Sequence, residues 1–276
     1  MKILIMTDME GVAGILNHDD WVLREGEFYE EGRRLLTREV NSAVEGFCVA
    51  GADEIVVVDG HWTGGIDSGL LDKRASLVSQ QQNTGDMWPW GMNGSFDGLA
   101  FVGQHAKAGT PNSHITHTQG FEYVDLRLNG ISIGEYGQLA FCAMELGVPT
   151  VLACGEKALA EEAEQLTPGV VTVWGKRGTL PDGLDHLDAD AYGKAKLDAV
   201  HLPCEKVRTL IREGALRAGE RLTNVPSSFR YPEVGSPYEA VAEFRKSGGV
   251  PAHEKCYRHP DSVVAVMNML VRGQDE

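Results

Sequence analysis

The chain is poor in positive charge and has no long apolar run. Lys and Arg total 25 against 40 Asp and Glu in 276 residues, a formal net charge of −15. Acidity of this size repels phosphate backbones and argues against nucleic acid as a partner. No stretch approaches the roughly 20 apolar residues of a membrane-spanning helix, so no membrane partner is expected. The N-terminal apolar run covers only Ile3 to Met6 and ends in acids, unlike a secretory signal. The five cysteines are odd in number and contain no C-x-x-C pair, which favours the reducing cytoplasm over a disulfide framework. A P-loop is missing, and G-x-G-x-x-G follows no strand, so nucleotide binding has no support. H-E-x-x-H is missing as well, which removes only the zincin class of metallopeptidase.

What remains is an ordinary globular composition, 42% hydrophobic and 24% charged. Strand and helix patterns alternate. Lys2–Thr7, Glu54–Val58, Leu99–Val102 and Thr150–Ala153 read as buried strands. Tyr29 to Ala50 reads as a helix with apolar positions from Leu35 to Phe47, closed by Gly51. Asn129-Gly130 marks a hairpin between Tyr123–Leu128 and Ile131–Ile133, and Gln138–Leu146 is helical. After Glu156 come a charged helix (EKALAEEAEQL), a strand (VVTVW), a mostly helical stretch from Ala189 to Gly219, and a proline-punctuated tail ending in an apolar helix, Ser262 to Val271. The pattern predicts an α/β fold, a three-layer α/β/α sandwich with a mostly parallel sheet plus a small α+β C-terminal unit. The expected division is a catalytic α/β domain over 1–200 and a smaller α+β domain over 201–276.

Polar residues fall where strands end. In open α/β sheets, ligands bind beyond the carboxyl ends of the strands. Asp8 and Glu10 follow the first strand, Asp59 and His61 follow EIVVV, His105 follows LAFVG, and Glu135 opens the helix after the hairpin. Singly, each has a plain explanation: a turn-capping Asp, a helix N-terminal Glu, a hydrogen-bonded loop histidine. Four elements delivering acids or histidines to one edge instead match the ligand set of a catalytic zinc-like site. A divalent cation also explains how Asp8 and Glu10, one residue apart at a buried strand end, both stay ionised.

A loop, GQHAKAGTPNSHITHTQG, adds His114 and His117 to His105; a histidine at the sheet mouth suits general acid–base work, and His114 reads as surface decoration. Gly130-Ile131-Ser132-Ile133-Gly134 matches G-x-S-x-G, but Ser132 sits between isoleucines in a hairpin strand and not at a strand-to-helix turn. Lys176-Arg177 reads as a solvated pair ahead of a site for a substrate carboxylate, and Trp88 and Trp90 as core, pocket lining or subunit interface.

With these residues the sequence resembles the DppA-type D-aminopeptidase family of dinuclear zinc metallopeptidases. The resemblance is carried by TDMEGVAG at 7–14, YEEGRRLLTREVN at 29–41, VDGH at 58–61, PWGM at 89–92, GQHAKAGTP at 103–111, HT at 117–118, GEYG at 134–137 and GVPTVLACG at 147–155. It covers about the first 155 residues, in the family's order. It implies two Zn2+ per subunit, other divalent transition metals being alternatives, with Asp8, Glu10, His61, His105 and Glu135 as ligands and Asp8 as the bridge. His117 is the implied catalytic histidine, with His114 a rival or substrate-side residue. Asp59 would orient a ligand histidine from behind. Where the family usually has Asp-Ser-His, this chain has Asp59-Gly60-His61. The implied activity is zinc-dependent removal of N-terminal D-amino acids from small peptides by a homo-oligomer, ring-shaped in the family. A metal-dependent phosphoesterase or other amidohydrolase, and a non-enzymatic metal or small-ligand binding protein, are the alternatives.

Overall fold

Ile3 and Ile5 turn to one face of the first strand and Leu4 and Met6 to the other, and all four are buried. A strand apolar on both faces must be covered on both, and this requirement organises the fold. In the computed structural model, which describes residues 1–79 and 87–272, β1 (Lys2–Thr7), β2 (Glu54–Asp59), β3 (Ala75–Ser79), β4 (Gly98–Gln104), β7 (Thr150–Glu156), β8 (Val171–Gly178) and β9 (Ala199–His201) form one sheet. Its order is β3-β2-β1-β4-β7-β8-β9, parallel except for the antiparallel β9. β1 is central, in register with β2 (Thr7 opposite Asp59) and β4 (Thr7 opposite Val102).

Each face has its own core. On one, Ile3, Ile5 and Val57 pack with Leu36, Val40, Val44 and Phe47 of α2 (Tyr29–Val49) and Ile211, Ala215 and Ala218 of α6 (Cys204–Asn224). On the other, Leu4, Met6 and Phe101 pack with Tyr136, Leu139 and Phe141 of α3 (Glu135–Glu145) and Leu159 and Ala163 of α4 (Lys157–Leu166). This is the expected three-layer arrangement. The chain leaves α2 at Gly51, whose φ of +93° is the left-handed conformation that ends helices at glycine.

A second, antiparallel sheet has the order β11-β10-β5-β6. The hairpin expected at Asn129-Gly130 supplies β5 (Tyr123–Leu128) and β6 (Ile131–Ser132); the tail supplies β10 (Tyr238–Phe244) and β11 (His253–His259). The small unit is therefore not drawn from the C-terminal stretch alone, and α6 joins the main sheet. Leu126, Leu128, Ala240 and Tyr257 share one core with α3 and α7 (Val263–Arg272). Glu145 of α3 accepts from the N–H groups of Val263 and Val264, and Ser262 Oγ accepts from Ala265 N at 3.0 Å, so the start of α7 is capped from two sides. The stretch from Ala189 is helical only in α5 (Ala189–Gly193) and α6, with β9 between them.

Candidate metal centre

Parallel pairing puts the carboxyl ends of β1, β2 and β4 side by side, so Asp8, His61 and His105 emerge at one edge although they are far apart in the chain. The strands meet so closely there that glycine is required. Gly11 N donates to Gly103 O at 2.7 Å. A Cβ on Gly103, whose φ is +79°, would stand 2.0 Å from Asp8 O.

The carboxylates and imidazoles interlock. Asp8 Oδ1 lies 3.2 Å from His61 Nδ1, and Asp8 Oδ2 lies 3.3 Å from His105 Nε2. Gln104 Nε2 donates to Asp8 Oδ2 at 2.9 Å, and Met9 N to Oδ1 at 2.9 Å. Glu10 places Oε2 3.5 Å from His61 Nδ1 and Oε1 4.0 Å from His117 Nε2. Glu135, the first residue of α3, brings Oε1 to 3.7 Å from His105 Nε2 and 3.9 Å from His117 Nε2. The ring of His117 stacks on that of His105 with centroids 4.2 Å apart.

Each imidazole gives its other nitrogen to a backbone carbonyl. His61 Nε2 faces Val22 O at 3.2 Å, His105 Nδ1 faces Ala106 O at 2.8 Å and His117 Nδ1 faces Ile115 O at 3.0 Å. A ring N–H held this way fixes the tautomer and turns the opposite lone pair toward the carboxylates. Lone pair against carboxylate is repulsive unless a cation stands between them. Glu10 Oε2 and His105 Nε2 are moreover buried without a hydrogen-bond partner, a cost of about 1–3 kcal/mol for each such atom. Donor atoms of Asp8, Glu10 and His105 lie within 4.8 Å of one another, as do those of His105, His117 and Glu135. A set of nitrogens and carboxylate oxygens without thiolate fits Zn2+ or a neighbouring divalent transition metal.

Without a cation, protons do the neutralising. Burial and then the charge of Glu10 push the Asp8 carboxyl well above its usual range. Burial also opposes ionisation of Glu10, but His61 and His117 outweigh it and hold that carboxyl low. Burial likewise opposes the His61 imidazolium, and Glu10 with Asp8 overcomes it and raises the ring's pKa. A divalent cation binding here would displace those protons.

The profile of peptidase family M55, described as D-aminopeptidase, matches residues 1–254. The chain belongs to the D-aminopeptidase family. A D-aminopeptidase of Bacillus subtilis (strain 168) is 32% identical over 180 residues, covering 62% of this chain and 62% of that protein. The alignment thus spans less than two thirds of the relative's length. The solved structure described as Zn-dependent D-aminopeptidase DppA from Bacillus subtilis, a self-compartmentalizing protease, has a TM-score of 0.82. It covers 99% of this chain and 97% of its own at 23% identity, and so shares the fold.

In this D-aminopeptidase family member the six residues Asp8, Glu10, His61, His105, His117 and Glu135 converge. Three other expectations do not hold. The carboxylate of Asp59 accepts from Gly65 N at 2.8 Å and Ile66 N at 3.1 Å, so it shapes the loop after His61, while the carbonyl of Val22 orients that imidazole. His114 is not surface decoration: it is fully buried, edge-on to His201, and its pKa is pushed down to about 2 by burial and by Lys176. Lys176 is not solvated but completely buried. Ser132 stands in β6 and donates to Asp125 Oδ1, away from any strand-to-helix turn. The glycine at position 60 has a local reason, since a Cβ there would lie 2.4 Å from Met6 Sδ and 2.7 Å from Thr7 O.

The centre opens into a cavity of about 660 Å³. Trp88 and Trp90, in edge-to-face contact at 6.3 Å, belong to the core and also wall this cavity. His18 and Phe121 flank His117, with ring centroids at 6.4 and 5.0 Å from it, and both line the cavity. His18, Phe121 and Gln104 escaped sequence reasoning; only Gln104 carried a signal, its place between β4 and His105. Among the described residues, Asp8, Glu10, Asp19, Glu122, Glu135 and Asp190 line the cavity, against Lys194 as the one Lys or Arg.

Proposed function

We propose that the protein is a zinc-dependent aminopeptidase that removes N-terminal D-amino acids from short peptides. The observation that carries this reading is the triple tether: three imidazoles, each held through one nitrogen by a backbone carbonyl, turn the other toward three carboxylates. Asp8, Glu10, His61, His105 and Glu135 would hold the cations. Asp8 would be shared between His61 and His105 in holding them, because its two oxygens face those two different histidines. Bound there, the ions would supply Lewis acidity toward a scissile carbonyl and toward the attacking water. His117 lines the cavity, where its Nε2 is placed to take a proton from that water and return it to the departing amine. Among the described residues, six cavity carboxylates against one lysine favour a substrate with a free ammonium over a phosphate ester. The D-configuration follows the family.

Self-compartmentalization is the description of DppA, and we extend homo-oligomerisation to this chain on the strength of the shared fold. Five free thiols support a cytoplasmic location. No helix among the described residues is long and apolar enough to cross a membrane.

The test is metal content joined to a hydrolysis panel. Protein purified without added chelator should carry about two zinc ions per chain, and Asp8→Ala should lose most of them. The loaded enzyme should cleave D-aminoacyl peptides, should leave L-peptides and a phosphodiester intact, and should stop on chelation. Phosphodiester cleavage would favour the phosphoesterase alternative, and a protein that takes up no metal would overturn the proposal.

A further inference from the structure

Behind the metal centre lie two ionisable side chains that touch neither the cavity nor the cluster's donor atoms. Glu156 closes β7, Lys176 lies on β8, and the two are register partners in the sheet. Both are completely buried. Ionised groups in such places are costly unless they are hydrogen-bonded and paired.

Their contacts divide cleanly. Glu156 Oε1 accepts from Ala106 N at 2.9 Å and Oε2 from His114 N at 2.7 Å. One carboxylate thereby clasps two points of the loop that presents His105 and His117. That loop resists its shape on its own: Ile115 and Gln119 stand at φ +56° and +61°, a region unfavourable to a β-branched residue. On the other side, Lys176 Nζ donates to the carbonyl of Glu10 and reaches Ile15 O at 3.4 Å, bracing the turn that follows β1. Burial pushes the lysine down to about 8, opposed first by the charge of Glu156. The two loop N–H groups find their acceptor in one carboxylate and the two turn carbonyls their donor in one lysine, and neighbouring strands supply both.

We propose that Glu156 and Lys176 form a positioning pair for the metal centre: the carboxylate sets the imidazole-bearing loop, the ammonium sets the carboxylate-bearing turn, and their attraction holds the two segments together. The assignment rests on reading the cluster as a metal centre.

The experiment measures zinc dissociation constants by competition with a chromophoric chelator, alongside the Tm of the metal-free proteins. Wild type is compared with Glu156→Gln, Glu156→Asp, Lys176→Met and the Glu156→Gln/Lys176→Met double variant. Gln keeps the size but offers one oxygen acceptor for two N–H groups; Met keeps the length without a donor. Each single variant should bind zinc about 10–100-fold more weakly, as loss of an outer contact to a metal site typically does. The double variant, which leaves neither partner of the pair as an unmatched buried charge, should regain most of the wild-type Tm and still bind zinc weakly, a split that a merely structural pair would not produce. Glu156→Asp keeps the charge and loses reach, and should weaken zinc binding too. Wild-type zinc affinity in the double variant or in Glu156→Asp would overturn the pair's role. A wild-type protein that takes up no zinc would overturn the metal centre itself, and this assignment with it.

Discussion

The centre depends on which nitrogen of each histidine is free. Ala106 O and Ile115 O hold the Nδ1 atoms of His105 and His117, while Val22 O holds Nε2 of His61, so three rings from different segments present lone pairs to one volume. His117 differs from His105 in access: it lines the cavity, whereas His105 is stacked behind it. Access is what a proton carrier needs and a metal ligand does not. His117→Gln should therefore lower kcat by about 10²–10⁴-fold, the usual yield of general acid–base catalysis. The zinc content should stay at the wild-type level. Elemental analysis beside steady-state kinetics checks this, and parallel loss of zinc would make His117 a ligand.

At the scale of elements, the strand ends can converge only because backbone meets backbone. A Cβ on Gly103 would strike the carbonyl of Asp8, and the +79° φ is itself unfavourable to any other residue. Gly103→Ala should cost more than about 2 kcal/mol of stability, since neither atom can retreat without shifting a strand. A lower urea midpoint at unchanged m-value would show it, and an unchanged midpoint would mean that the strands relax. Two of the strands that escaped sequence reading share a cause. β10 buries only the small residues Ala240 and Ala242 on its inner face, and β11 is an edge strand whose one buried side chain is Tyr257. Neither contains the β-branched runs that made β1, β2 and β8 legible. The Asn129-Gly130 hairpin was legible because its turn chemistry is local.

Across the whole molecule, burying acids inside an acidic chain makes stability depend on pH. Glu39 of α2 is buried, and its burial pushes its pKa up to about 8. In the unfolded chain it ionises near the ordinary value of 4.5. Between those values the native state holds a proton that the unfolded state has lost. Its contribution is therefore fully present below about 4.5 and is lost as pH rises toward 8. Glu39→Gln keeps an oxygen for the Ala13 N–H, which Glu39 Oε1 accepts at 3.2 Å, and removes the titration. The difference in Tm between variant and wild type should shift in favour of the variant from pH 5 to pH 8. A difference constant across that range would contradict the protonated state of Glu39.

The sequence by itself determined the layered α/β architecture, because alternating two-faced apolar strands and one-sided helices leave few ways to bury both sheet faces. It also determined the chemical character of the site, because Asp8, Glu10, His61, His105 and Glu135 each stand immediately beyond a legible strand or at the start of a legible helix. Tertiary structure decided what depends on partners distant in the chain. The same loop carries three histidines, and nothing local separates them; burial against His201 and Leu16 removes His114 from the cavity, while stacking on His105 brings His117 to its wall. Lys176-Arg177 has the look of a solvated pair until register places Lys176 beside Glu156 and beneath Glu10. Asp59 has the right type and position to steady His61, yet the N–H groups of Gly65 and Ile66 claim its two oxygens. Residue type and spacing specify which groups reach the edge of the sheet; only packing specifies which of them face one another there.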